Sequence, residues 1–228
     1  MNPEFDRYAT EYSHLVHDRF KDRFAADSEF FHQRKRRLIR DFLDQNGMVP
    51  SQMSWLDVGC GQGDLLRFAG GEFARAAGCD LSSEMIKGCS DTQVLQQPSP
   101  TKLPFADESF DLVTAVCVYH HVDRTDRLML TRSVQRVLKR GGIFCVIEHN
   151  PWNPITRLIV KRSPVDVDAH LLTPLATSRL MRSADLEVAE TAFFLYLPER
   201  IFAYLSWVEN WLQKWPMGGQ FACFCRRT

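Results

Sequence analysis

Apolar and polar positions along the chain follow two different periods, and the change falls at Pro50. Before it, from Asp27 to about Asn46, Phe30, Phe31, Leu38, Ile39, Phe42 and Leu43 recur at helical spacing, and Asn46-Gly47 followed by Pro50 supplies a stop. After it, short apolar runs of strand length, Met53–Val58, Phe73–Cys79, Thr92–Leu95, Phe110–Val118 and Ile143–Glu148, alternate with helical stretches at Asp64–Ala69, Ser83–Gly88 and Asp126–Lys139. Such alternation calls for a parallel sheet covered on both faces. Lys139-Arg140-Gly141-Gly142 reads as the cationic, glycine-terminated end of the last of these helices. Beyond Glu148 the chain is punctuated by Pro151, Pro154, Pro164 and Pro174; a helix over Pro174–Ser183, a strand over Glu187–Leu197, a helix from Pro198 to about Trp215 and a last strand over Gln220–Arg226 follow.

Composition narrows the class without choosing a function. The 228 residues are 45% hydrophobic and 25% charged, an ordinary globular balance for one domain or one domain with an appendage. Lysine plus arginine and aspartate plus glutamate number 28 each, so no long-range positive field gathers phosphates, which argues against a nucleic-acid partner. The run His32-Gln33-Arg34-Lys35-Arg36-Arg37 reads better as a solvated helix face than as an anion site. The seven cysteines are odd in number and sit mostly in apolar runs, as reduced core residues do, and their spacing offers no metal ligand set. The first residues lack a signal-peptide pattern and no run reaches membrane-span length, so the expectation is a cytoplasmic protein.

The chemistry concentrates in Trp55-Leu56-Asp57-Val58-Gly59-Cys60-Gly61-Gln62-Gly63-Asp64, a buried strand entering a glycine-rich turn that opens a helix. Glycine permits positive φ and close approach of a ligand to the backbone. A dinucleotide site would want a third glycine where Asp64 stands, and an acid there repels a pyrophosphate; this disfavours a nicotinamide-dependent oxidoreductase. Further on, Asp80 ends the second strand in Gly78-Cys79-Asp80-Leu81-Ser82-Ser83-Glu84-Met85. A carboxylate there can accept from both hydroxyls of an adenosine ribose, or it can cap the helix that follows; the upstream glycines shift the balance to the ribose.

With these blocks in place, LDVGCGQGD, GCDLSSEM, LPFADESFDLV and RVLKRGGIF, the sequence resembles the class I S-adenosylmethionine-dependent methyltransferases, in particular the small bacterial methyltransferase type 11-like group. The resemblance implies a Rossmann-like, doubly wound α/β fold with a seven-stranded sheet, mostly parallel with an antiparallel last strand. It implies a helical segment over residues 1–50 covering the cleft, and a catalytic domain over 51–228 with acceptor-side insertions at about 150–172 and 197–216. The implied cofactor is S-adenosylmethionine, with S-adenosylhomocysteine as product and no metal. Asp57 and the backbone of Gly59, Cys60, Gly61 and Gly63 would face its methionine portion, Asp80 the ribose, and Leu81 and Met85 the adenine. Relatives carry an acid four residues before the leucine of LPF, Leu103; this chain has Ser99, so weakened adenine recognition is expected there.

Methyl transfer to oxygen also needs a proton acceptor, and neutral histidine suits that task near pH 7. His120 and His121 follow the fourth strand, beside Tyr119, whose phenol could contact a substrate; packing or loop-stabilising roles for the histidines stay open. Glu148 and His149 end the fifth strand as further catalytic candidates, with Asn150 and Trp152 as an acceptor wall and Asn153 as a helix cap. Asp166, Asp168 and His170 read as a polar lid. The stripe Ile201, Leu205, Val208, Trp211, Leu212 and Trp215 reads as core, with an acceptor pocket or a peripheral membrane contact as the less favoured alternative. The expected acceptor is a small-molecule or lipid-linked compound, methylated at oxygen; a non-catalytic cofactor-binding regulator or scaffold is the alternative. Oligomeric state is not legible.

Overall fold

The computed structural model describes residues 27–89 and 93–228, together with Asp6, Tyr8, Ala9, Phe24 and Ala25; Thr92 and most of the segment before residue 27 lie outside the described residues. Among the described residues the first full helix, α1 (Glu29–Gln45), turns its apolar stripe inward and ends as the Asn46-Gly47 pair predicts. Phe42 stacks on Phe224 with ring centroids 4.0 Å apart. Then come β1 (Ser54–Val58), α2 (Asp64–Ala69), β2 (Arg75–Asp80), α3 (Ser83–Ile86), β3 (Gln93–Gln96), β4 (Phe110–Val116), α4 (Arg127–Val137) and β5 (Leu138–His149). The chain closes with α5 (Pro154–Arg162), α6 (Pro174–Arg182), β6 (Leu186–Phe194), α7 (Glu199–Leu212) and β7 (Gln220–Arg227).

All seven strands form one sheet in the order β3-β2-β1-β4-β5-β7-β6. The first five run parallel, and β7 inserts antiparallel between β5 and β6. Strand order reverses beside β1, so the ends of β1 and β4 flank a crevice, the place where open α/β sheets bind ligands. Two apolar clusters fill the two faces, one including Trp55, Leu112, Ile143 and Phe224, the other Leu56, Val113, Phe144 and Leu138.

One boundary differs from the expectation. The fourth helix stops at Val137, and Lys139-Arg140-Gly141-Gly142 belongs to β5 instead of to a helix end. Pairing with β4 slips between Phe110 and Leu112, and Gly141, at φ +76°, takes up the irregularity. Lys139 donates to Asp111 across this slip at 2.7 Å.

Candidate active site

The glycine turn is built by close approach. Gly59, Gly61 and Gly63 all have positive φ, and a Cβ on Gly59 would lie 2.5 Å from a Val118 methyl carbon. No other residue fits that corner between β1 and β4. The Gly59 and Cys60 amides bond the Cys79 carbonyl, which ties the turn to the end of β2. There the Asp80 carboxylate accepts from the Gly61 amide and the Ser82 amide, each at 2.9 Å. The helix cap is Ser82, whose hydroxyl accepts from the Met85 amide, so Asp80 is left to a ligand and the turn. Burial pushes its pKa up.

Asp57 lies beneath this turn, and its carboxyl accepts from the Thr114 hydroxyl at 2.6 Å. Burial pushes its pKa up to about 7. Leu81 is half-buried beside the turn, while Met85 is buried with its terminal methyl 3.3 Å from where a Cβ on Gly61 would lie. Asp64 forms an ion pair with Arg67 on its own helix. Ser99 forms an isolated bridge with Lys102, and its hydroxyl is buried without a hydrogen-bond partner. Leu103, the leucine of LPF and a further cofactor-side candidate, is buried in the core, with its backbone N–H on Ser133 and its carbonyl accepting from Arg136. The described N-terminal residues approach from outside: Ala9 accepts from Gln62, Asp6 from the Ser82 hydroxyl, and the Tyr8 hydroxyl donates to the Pro164 carbonyl.

Across the crevice, β4 ends at Val116, and Cys117, with φ of +57°, turns the chain toward a short 3-10 turn over Tyr119–His121. This places His120 against the end of β5. Its Nδ1 donates to Glu148 at 2.5 Å and its Nε2 lies 3.3 Å from Asp166. Burial lowers the imidazole's pKa, but the two carboxylates outweigh it and hold the ring up at about 9. The same contact holds Asp166 and Glu148 below the usual carboxylate range, despite burial. His120 is therefore a buried imidazolium between two carboxylates, not a proton acceptor, and Glu148, fully buried and also accepting from the Val118 and Tyr119 amides, is its anchor. Both catalytic expectations are corrected.

Tyr119 is corrected as well. It lies in the core with its hydroxyl on Thr131, beyond reach of a substrate. Asn150 is not an acceptor contact either: its amide donates to the Pro216 and Gly218 carbonyls and its oxygen accepts from the Trp152 amide. Trp152 stands partly exposed on the rim, against Phe193, and Asn153 caps α5 as expected.

What remains at the mouth is His121, half-buried, with its Nε2 3.4 Å from Asp166, and His149, whose ring lies 5.3 Å from that of His120. Asp166 is the residue that the sequence reading missed; read as a lid, it is a buried clamp, and the carbonyl of His120 accepts from the His170 amide beside it. Nε2 of each of His120 and His121 and a carboxylate oxygen of Asp166 lie within 4.8 Å of one another, a donor set of the kind divalent cations use. Protonated His120 makes it an ion-pair cluster.

The fold and this site define a class: an α/β domain with a glycine-rich turn and a strand-end carboxylate, Asp80, beside the point where the strand order reverses. The residues fit S-adenosylmethionine, since the turn excludes any side chain at Gly59, Asp80 offers acceptors beside it, and the buried Ser99 hydroxyl lacks a partner.

Comparisons with known proteins agree. A family model described as "Methyltransferase domain" matches residues 56–146. The tRNA (carboxymethyluridine(34)-5-O)-methyltransferase of Arabidopsis thaliana is 29% identical over 165 residues, 72% of this chain and 38% of that protein. The ubiquinone/menaquinone biosynthesis C-methyltransferase UbiE of Hahella chejuensis is 32% identical over 136 residues, covering 52% of each. The chain spans about half or less of the length of these curated relatives. Among solved structures, an S-adenosylmethionine-dependent methyltransferase of Thermotoga maritima superposes with TM-score 0.71 at 19% identity, covering 98% of both chains. One of Archaeoglobus fulgidus gives 0.64 at 17%, covering 91% of this chain and 97% of the other. Residues 56–146 thus carry a methyltransferase domain, and the chain as a whole has the fold of the solved S-adenosylmethionine-dependent methyltransferases.

Proposed function

We propose that this domain transfers the methyl group of S-adenosylmethionine to an oxygen of a small-molecule or lipid-linked acceptor held over the ends of β4 and β5. When bound, the cofactor supplies an electrophilic sulfonium methyl. The glycine turn, Asp57 and Asp80 hold and orient it, and the acceptor side excludes competing water; positioning of this kind is worth about 7–11 kcal/mol. The observation that carries the reading is His121, reachable from the cleft and set 3.4 Å from Asp166. Asp166 orients the ring, His121 takes the acceptor's proton, and His149 and Trp152 border the acceptor. General-base help of this sort contributes about 10²–10⁴-fold.

Carbon is the second reading for the atom methylated, favoured by the names of the UbiE relatives and of a Gibberella zeae sterol 24-C-methyltransferase, 32% identical over 120 residues. The test is a screen of the purified chain with methyl-labelled S-adenosylmethionine against hydroxylated metabolites, phenols, glycolipids and bulk tRNA, with each product located by NMR. Label on an oxygen of a small or lipid acceptor, with S-adenosylhomocysteine released, supports the reading. Label confined to tRNA or to carbon replaces it, and cofactor binding with no turnover on any acceptor in extract points to a binding protein.

A further inference from the structure

The stripe read as core on the last helix is not core. Trp207, Trp211 and Trp215 are 68%, 79% and 61% exposed, and Tyr204, before a kink at Leu205, is 84% exposed. Past the kink, the spacing of the three tryptophans lines them along one side of the rest of α7 and its exit turn, opposite the buried Glu209. The loop after α7 is fastened to α5: Asn153 donates to the Met217 carbonyl at 2.7 Å and the Thr156 hydroxyl to the Gly219 carbonyl at 2.9 Å. Ile155 on α5 and Met217 in the fastened loop are exposed as well.

Charge in the two fastened segments is one-sided. From Asn150 to Ser163 and from Asn210 to Gly219 the sequence contains no acid, while Arg157, Lys161, Arg162 and Lys214 are all there, in a chain whose total charge is zero. Tryptophan and aliphatic side chains flanked by lysine and arginine are the composition that lies in the plane of a lipid headgroup region, with rings at the interface and ammonium groups on the phosphates. A second copy packing on the same patch would set cation against cation. RNA would use the rings for stacking but has no use for Ile155 and Met217.

We propose that α5 and the α7 exit turn form a monotopic docking surface for an anionic lipid bilayer. Adsorption needs no turnover, so this surface stands or falls apart from the reaction assigned above. The test is flotation of the full chain with vesicles of phosphatidylcholine alone and of phosphatidylcholine mixed with phosphatidylglycerol, with tryptophan quenching by brominated lipid. Expected are binding to the anionic vesicles, weakening with salt, and a loss of at least about ten-fold in both Trp211→Ser/Trp215→Ser and Arg157→Glu/Lys161→Glu. Both pairs are on the surface, so their melting temperatures should match the wild type, which separates lost adsorption from lost folding. The inference is overturned by absence of adsorption, or by adsorption that neither double variant weakens. A concentration-dependent dimer removed by the tryptophan pair, or bulk tRNA binding removed by both pairs without vesicle binding, overturns it equally.

Discussion

Single side chains decide what this cleft can hold. Asp80 accepts from two amides of the turn and the strand end and has lone pairs left for a diol. Asp80→Ala should weaken S-adenosylmethionine binding by about 1.5–3 kcal/mol in calorimetric titration, with the melting temperature changed little because both amides can turn to water. Asp57, held near pH 7 by burial, gives a second outcome. A cationic ligand favours its ionised form, so affinity for S-adenosylmethionine should rise between pH 6 and 8 with proton release, and in Asp57→Asn this pH dependence should vanish. His120 bears on stability. Its folded pKa, about 9 against 6.5, is raised by Glu148 and Asp166, with His121, His149 and Arg127 facing the same cluster. The contribution, about 3 kcal/mol, is full below pH 6.5 and is lost as pH rises through 9. The melting-temperature gap between wild type and His120→Gln should therefore close between pH 7 and 10; a constant gap would contradict the imidazolium assignment. His121→Ala, by contrast, should lower kcat with cofactor affinity retained. The glycine turn and the acid beside it were legible in the sequence because their signals are local: glycines in one turn and an acid at one strand end. The acceptor side was legible only as a set of histidines. Which of them is locked depends on Asp166, brought in by a distant turn, and periodicity carries no such information.

At the scale of elements, the pairing of α1 with α7 includes a buried ion pair beside the Phe30–Phe202 contact. Arg34 lies 2.5 Å from Glu209, both buried, with the Arg34 guanidinium also over the Phe202 ring at 3.7 Å. Glu209 accepts from the Tyr196 amide as well. Removing one partner strands a buried charge, so Glu209→Ala should cost about 3–5 kcal/mol in thermal unfolding, and Arg34→Met added to it should recover much of that loss. No recovery would mean that the Tyr196 bond carries the effect. The sequence placed both helices correctly and misread both charge and apolar faces in the same way. Arg34 was counted with a solvated run, and its neighbours Arg36, Arg37 and Arg40 do pair on the surface with Glu72, Asp41 and Asp44. The α7 stripe was counted as core, because a helical period tells which residues share a face and not whether another element covers it.

The whole molecule is built on a sheet whose seven strands and antiparallel last strand were legible only through the family resemblance; strand positions were read from apolar runs, but order and pairing were not. The slip at Gly141 and the bulge between Val188 and Glu190 on β6 are invisible to period and follow from tertiary pairing. That β7 lies between β5 and β6 has a further consequence, in the order of synthesis. The ribosome delivers β6 before β7, yet β6 has no place in the sheet until β7 arrives, and β5 presents Ile143–His149 as an open, apolar edge throughout that interval. The chain is thus a five-stranded sheet with an adhesive margin until β7 emerges, and a nascent chain stalled or cut after Gly219 should be recovered with chaperones or in aggregates rather than as a folded fragment.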